Sequence, residues 1–191
     1  MVYTKKIDGE TLVVTASDLL EHEGIGSLSM RRVAKELGVR ASSLYHHFPD
    51  KSALLRAVAE QGLRQLAEVL EQARERAGPV PQQQIRALAI AYREWALAHP
   101  RLYLLLFGGT PVEERPSPIG QAVSAPMLAA ATQLVGEQKA VAATQAAWAL
   151  VHGFVTLELA GQMRLGVPLE GLLLGIEAFV QGLGDSRINR T

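Results

Sequence analysis

Leu28-Ser29-Met30-Arg31-Arg32-Val33-Ala34-Lys35-Glu36-Leu37-Gly38-Val39-Arg40-Ala41-Ser42-Ser43-Leu44-Tyr45-His46-His47-Phe48-Pro49-Asp50-Lys51 is the stretch that decides the fold. Its apolar residues recur at spacings of three and four, as one face of a helix requires, rather than at two, as a half-buried strand requires. The Ser29 hydroxyl can cap the free N–H groups of the turn that follows it. Gly38 can adopt the left-handed backbone at which a helix stops. The spacing therefore predicts a short helix between them, with Met30, Val33, Ala34 and Leu37 facing inward. Only Gly38 and Val39 separate it from another short helix near Arg40 to His46, so the connection is a tight turn. Pro49-Asp50-Lys51 then breaks the chain.

Outward from this stretch, the same periodicity continues in both directions. A helix from about Ile7 to Glu23 precedes it, burying Leu12, Val13, Ala16, Leu19 and Leu20 and stopping at Gly24-Ile25-Gly26. A long helix follows from Ser52 to about Ala77, with Leu54, Leu55, Val58, Leu63, Leu66, Val69 and Leu70 on its apolar side. Gly78-Pro79-Val80-Pro81 breaks the chain again. Beyond it, helices are expected at about Gln82 to His99, Arg101 to Phe107, Ile119 to Val135, Glu137 to Gln162 and Leu169 to Leu183. Gly108 to Pro118, with three prolines and two glycines, reads as a loop. No alternating run bounded by turns argues for a strand, so the fold class is all-α. Residues 1–51 form one domain, 52–77 a connecting helix and 78–191 a second domain.

Composition narrows the chemistry. The 191 residues are 48% hydrophobic and 20% charged, enough apolar surface for a globular core and unlike a disordered chain. The absence of cysteine excludes disulfides, cysteine-ligated zinc and thiol nucleophiles. No window reaches about 18 uninterrupted apolar residues, so no membrane partner and a cytoplasmic location are expected. Lys plus Arg and Asp plus Glu each number 19, for a formal charge of zero. Binding to nucleic acid would therefore need charge concentrated locally. From Leu28 to Lys51, five basic residues (Arg31, Arg32, Lys35, Arg40, Lys51) oppose two acidic ones (Glu36, Asp50), giving +3 and leaving −3 for the rest.

Two short helices joined by a tight glycine turn, packed on a preceding helix and followed by a long one, have the dimensions of a helix-turn-helix unit. Ala16-Ser17-Asp18-Leu19-Leu20-Glu21-His22-Glu23-Gly24, then Leu28 to Val39, then Ser43-Leu44-Tyr45-His46-His47-Phe48-Pro49-Asp50-Lys51-Ser52-Ala53-Leu54-Leu55, closely resemble the DNA-binding domain of the tetracycline-repressor (TetR) family over about the first sixty residues. The resemblance implies a ligand-responsive transcriptional regulator, most readily a repressor, that binds a palindromic double-stranded DNA operator as a dimer. Met30, Val33, Leu37, Leu44 and Phe48 can form the small core. Arg31 suits the N7 and O6 acceptors of guanine, and Ser29, Arg40, Ser42 and Ser43 can reach bases or phosphate. Tyr45, His46 and Lys51 are expected to fix register on the backbone. Where many members carry Ser or Thr, this chain has Arg40 followed by Ala41, whose methyl can meet only a thymine methyl or nothing. His46 and His47 point about 100° apart on a helix and have no carboxylate at matching spacing, so no metal site is expected.

The remaining helices resemble the family's ligand-binding and dimerisation domain more loosely. Trp148-Ala149-Leu150-Val151-His152-Gly153-Phe154 looks like the Trp…His-Gly signature of one C-terminal subgroup. The resemblance implies a cavity, and Trp95, Phe107, Met127, Trp148 and His152 are candidates to line it for a small apolar or aromatic effector. Filling of an ordinary core is the other use for each. Ala146, Gly153 and Ala160 recur every seven residues, and Leu172, Ile176, Phe179 and Leu183 make an apolar seam. Together they could form a homodimer interface, burial inside one subunit being the alternative. No cofactor is expected beyond the effector.

An enzyme is not indicated. His-Glu-x-x-His, Gly-x-Ser-x-Gly, a phosphate-binding loop and a dinucleotide fingerprint are all missing from the sequence. A helical small-molecule-binding dimer without specific DNA binding stays open at this point, kept so by the zero net charge and by Ala41.

Overall fold

The computed structural model describes residues 8–108 and 118–188. Its helices, in chain order, are α1 (Gly9–Glu23), α2 (Met30–Leu37), α3 (Ala41–Leu44), α4 (Lys51–Arg76), α5 (Pro81–Ala98), α6 (Pro100–Phe107), α7 (Pro118–Val135), α8 (Glu137–Leu159) and α9 (Pro168–Ile188). Among the described residues there is no strand. Ile7 and most of the loop expected at Gly108 to Pro118 lie outside the described residues.

The chain divides into two compact units, Met1–Leu63 with His99–Val112, and Arg64–Ala98 with Glu113–Thr191. The second boundary does not follow the chain break at 78. Packing assigns α6 to the first unit, where its Leu102, Tyr103 and Leu106 are buried and it lies against α1. The first unit's core otherwise comes from Leu12, Val13, Ala16, Leu19 and Leu20 of α1, Leu28, Met30, Val33 and Ala34, Leu44, and Leu54 and Val58 of α4. Burying one such leucine contributes about 1.5–3 kcal/mol, so this small unit needs nearly every apolar position it has. Leu37 and Phe48, expected in this core, are half-buried at its edge.

Polar contacts set the helix ends of this unit. Asp8 caps α1 by accepting the Thr11 N–H at 2.7 Å, Ser29 caps α2 through the Arg32 N–H at 3.1 Å, and Asp50 caps α4 through the Ala53 N–H at 2.7 Å. Gly38 ends α2 at φ 69°, ψ 31°, a conformation open to glycine because it has no Cβ. The amide of Gly38 and that of Val39 return to Lys35 and Ala34 carbonyls, which closes the turn. At Gly62 a Cβ would lie 3.0 Å from the Leu102 side chain, so α4 comes as near to α6 as a residue without a side chain permits.

The second unit is held mainly by apolar surface. α8 buries Ala140, Ala143, Ala147, Val151 and Val155 and packs against α5, α7 and α9. Ala131, Ala140 and Ala143 form a tight cluster on which Val135, Phe179 and Leu183 rest. By length and mean hydropathy α8 is also long and apolar enough to cross a membrane, although Thr144, Gln145, His152, Thr156 and Glu158 interrupt it.

Candidate nucleic-acid interface

The α2–α3 pair carries the residues read from the sequence, and the fold sorts them. Arg31, Arg40, Ser42, Tyr45 and His46 are exposed, as are Lys35 and His47. Tyr45 is 52% accessible, far more than packing alone would leave to an aromatic ring. Ala41 and Ser43 are half-buried, and Leu44 is the buried anchor of α3. Ser29 is exposed, but its hydroxyl oxygen already accepts the Arg32 amide as the α2 cap.

The expected helix from Arg40 to His46 is shorter in the structure. α3 ends at Leu44, whose carbonyl accepts both the His47 N–H at 2.9 Å and the Phe48 N–H at 3.0 Å. That double acceptance tightens the chain into a turn ahead of Pro49, whose ring disfavours helical backbone at Phe48. Tyr45 and His46 therefore project from this turn.

Two of the five cations counted over this stretch are committed within the unit. Arg32 donates to Glu23 of α1, with Nε at 3.1 Å from both carboxylate oxygens, and to Glu36 at 2.8 Å. Hydrogen bonding to these two carboxylates raises the Arg32 pKa further above its ordinary value, and the reciprocal bond lowers that of Glu23. Lys51 donates from Nζ to the Ile25 carbonyl at 2.8 Å, so the residue expected on phosphate also ties the start of α4 to the turn after α1. Arg31, Lys35 and Arg40 remain as the exposed cations of the stretch.

Glu21 and Arg101 were not singled out by sequence. The Glu21 carboxylate accepts the Leu102 N–H at 2.7 Å and the Arg101 N–H at 3.3 Å, capping α6, where His99 makes no side-chain cap. Arg101 donates in return to the Glu21 carbonyl at 2.8 Å. A capping residue eighty positions away leaves no local pattern, so only the fold can bring it there.

Residues 12–58 match the family model of the tetR family of bacterial regulatory proteins, and residues 85–173 match that of the tetracyclin repressor-like C-terminal domain. The HTH-type transcriptional regulator Rv0681 of Mycobacterium tuberculosis is 32% identical over 162 residues, which cover 83% of this chain and 73% of that one. The chain belongs to the TetR family. Among solved structures, a protein of unknown function from Rhodococcus sp. RHA1 matches with TM-score 0.84 and 30% identity over 96% of this chain and 99% of that one. A BioQ solved with its double-stranded DNA operator matches with TM-score 0.68 and 27% identity over 94% and 99%.

The second unit of this TetR-family regulator holds Trp95, Met127, Trp148 and His152 of the residues expected to line an effector cavity. Trp95 is buried, Met127 and His152 are half-buried, and Trp148 is 49% exposed. Trp148 stacks on His152 at 5.0 Å between ring centroids, and Tyr92 O–H lies 3.2 Å from His152 Nδ1. Burial lowers the His152 pKa and so favours the neutral ring, whose unprotonated Nδ1 can accept from Tyr92. Phe107, also expected there, lies on α6 in the first unit with its ring 5.0 Å from that of Tyr103. Behind the aromatic group, Arg93 of α5 pairs with Glu158 of α8 at 2.7 Å, both side chains largely buried.

The expected dimer seam also needs correction. Leu172 and Ile176 are buried within the chain's own second unit, at 0% and 1% exposure, and Phe179 and Leu183 pack on the Ala131 cluster. Leu172 and Ile176 thus belong to the subunit core, while Phe179 and Leu183 are half-buried where they rest on that cluster. Ala146 and Ala160 are exposed and Gly153 half-buried, so the α8 stripe, unlike the α9 seam, stays at the surface. Val141, Trp148, Leu157 and Leu174 join it as large exposed apolar residues of α8 and α9.

Proposed function

We propose that this protein is a cytoplasmic, ligand-responsive transcriptional repressor that binds a palindromic operator as a homodimer and releases it when a small apolar effector binds. The observation that carries the reading is the exposed set Arg31, Arg40, Ser42, Tyr45 and His46 around a buried Leu44 anchor. In a helix-turn-helix such residues enter the major groove, and Arg31 supplies the fork that fits guanine. The BioQ likeness supports the same use of the surface, since that protein was solved on its operator. Two copies are needed because half-sites lie about 34–36 Å apart, one helical turn of DNA. The exposed apolar residues of α8 and α9 favour these helices as the contact between copies.

Effector binding acts by population shift. A ligand that prefers a conformation with wrongly spaced reading heads by about 100-fold changes operator binding by about 2.7 kcal/mol. Trp95, Met127, Trp148 and His152 are the residues of the second unit suited to an apolar or planar molecule. α4 runs unbroken from Lys51 to Arg76 and contributes residues to both units, which makes it the covalent lever. The role is binding rather than catalysis, with no cofactor beyond the effector.

Selection of bound sequences from a random duplex library tests the reading. Enrichment of a palindrome is the expected result. No enrichment, with retention of a homodimer, would leave the small-molecule-binding dimer without specific DNA recognition.

A further inference from the structure

Helices α1 and α6 cap each other. Pro100 opens α6 without an N–H, His99 makes no side-chain cap, and the Tyr103 N–H returns to the His99 carbonyl at 2.8 Å. The other two amides of this first turn, those of Arg101 and Leu102, donate to the two carboxylate oxygens of Glu21. In exchange, the Arg101 guanidinium takes the Glu21 carbonyl, one of the last in α1 and so beyond the reach of its own helix. The carboxylate faces the positive end of the α6 dipole, and the guanidinium faces the negative end of the α1 dipole. Two residues further along α1, Glu23 accepts from Arg32 of α2. Positions 21 and 23 stand about 200° apart around a helix, so the last turn of α1 is held by α6 on one side and by α2 on the other. Leu102 is buried and already so near Gly62 that a Cβ there would lie 3.0 Å from it, which leaves the start of α6 no room to shift toward α4.

We propose that Glu21 is a positioning residue for DNA binding: by fastening the start of α6 to the end of α1, it fixes the place of α2, and hence of Arg31, on the duplex. This inference rests on the DNA-binding reading above. A half-buried carboxylate with both oxygens taken contacts no phosphate, and its charge opposes a polyanion. Its contribution runs through α1 instead. A guanidinium that reads a base edge needs its backbone held to about 0.5 Å. An α1 end free to swing would carry Glu23, Arg32 and α2 with it, and would spread Arg31 over positions of which few match a base. Apparent affinity falls with the fraction of molecules in the competent arrangement.

The test uses the full chain and the palindromic duplex enriched from the random library, with binding followed by fluorescence anisotropy over a salt series. Glu21→Ala should bind about tenfold more weakly than the wild type, with the slope of log affinity against log salt unchanged, because no phosphate contact is lost. Glu21→Gln removes the same charge but keeps an acceptor for the Leu102 N–H, and should recover most of the affinity. Loss of a negative charge alone would tighten binding in both variants, and that result would overturn the inference. So would a Glu21→Ala protein that melts at a lower temperature but binds as the wild type does, the mark of a cap and nothing more. By linkage, the bound duplex should slow hydrogen exchange at the Arg101 and Leu102 amides of the wild type by about the same tenfold, read by NMR. This second measurement decides the matter if Glu21→Ala does not fold, and unchanged exchange at both amides would overturn the inference. A wild type that enriches no duplex would overturn the DNA-binding reading and this inference with it.

Discussion

The two units of this chain are held in different ways. In the first, helix ends are fixed by directional polar contacts: Asp8, Ser29 and Asp50 as caps, Arg32 between Glu23 and Glu36, Lys51 on the Ile25 carbonyl, and Glu21 on the start of α6. In the second, alanine, valine and leucine faces carry most of the packing, with Arg93–Glu158 and Tyr92–His152 as its inter-helix polar ties between α5 and α8. Directional contacts fix one arrangement of small helices and present a defined set of side chains to a partner. Apolar faces are less particular, since a smooth alanine stripe can pack on the chain's own neighbours or on another copy with similar gain. A reading head needs the first property, and a domain that responds to a ligand can use the second.

The largest effect should come from the core of the second unit. Ile176→Ala should lower unfolding stability by about 2–5 kcal/mol, and Phe179→Glu should give unfolded protein rather than a folded monomer, because either change strikes the subunit's own packing. Denaturant unfolding with light scattering checks this. A stable, folded monomer from Phe179→Glu would return the Leu172 to Leu183 seam to the dimer interface and dissolve the contrast between buried seam and exposed stripe.

Next in size is the contrast between adjacent arginines. Arg31→Ala should lose about 1–3 kcal/mol of operator affinity and relax preference at one base pair per half-site, with melting unchanged. Arg32→Ala should instead lower the melting temperature and leave base preference intact, since its guanidinium is occupied by Glu23 and Glu36. Binding measured against single-base operator variants separates the two. Equal shifts in base preference would mean that the carboxylates do not hold Arg32 away from DNA.

Ser29→Ala removes the α2 cap and should cost about 1 kcal/mol in urea unfolding. A loss confined to DNA affinity would place its hydroxyl on phosphate instead.

The smallest effect is one of pH. Burial lowers the His152 pKa, so the unfolded chain takes up this proton first as pH falls. Stability from this group is complete above the ordinary value of 6.5 and declines below it, toward the lower folded value. Melting temperatures at successive pH values below 6.5 should therefore fall less steeply in His152→Gln than in the wild type. Identical slopes would show that burial does not hold the ring neutral.

What the sequence determined by itself was everything encoded within a few residues of chain. The inward face of α1 could be read residue by residue, because a period near 3.6 and a glycine stop specify a helix locally. The Ser29 and Gly38 ends of α2 followed from their own backbone chemistry, as did the breaks before α4 and α5. α3 was read too long because the tightening at Leu44 depends on how its carbonyl shares two amides ahead of Pro49. The tertiary structure alone decided the contacts that join distant positions. Leu172 and Ile176 have the spacing of a seam on any surface, and only the placement of α9 turns them inward. Phe107 follows Tyr103 into the first unit because α6 is capped there by Glu21. Arg31 and Arg32 are the same residue type in sequence, and the arrival of Glu23 from α1 is what separates a free guanidinium from a bound one. Periodicity says which face of a helix is apolar, and the fold says what that face meets.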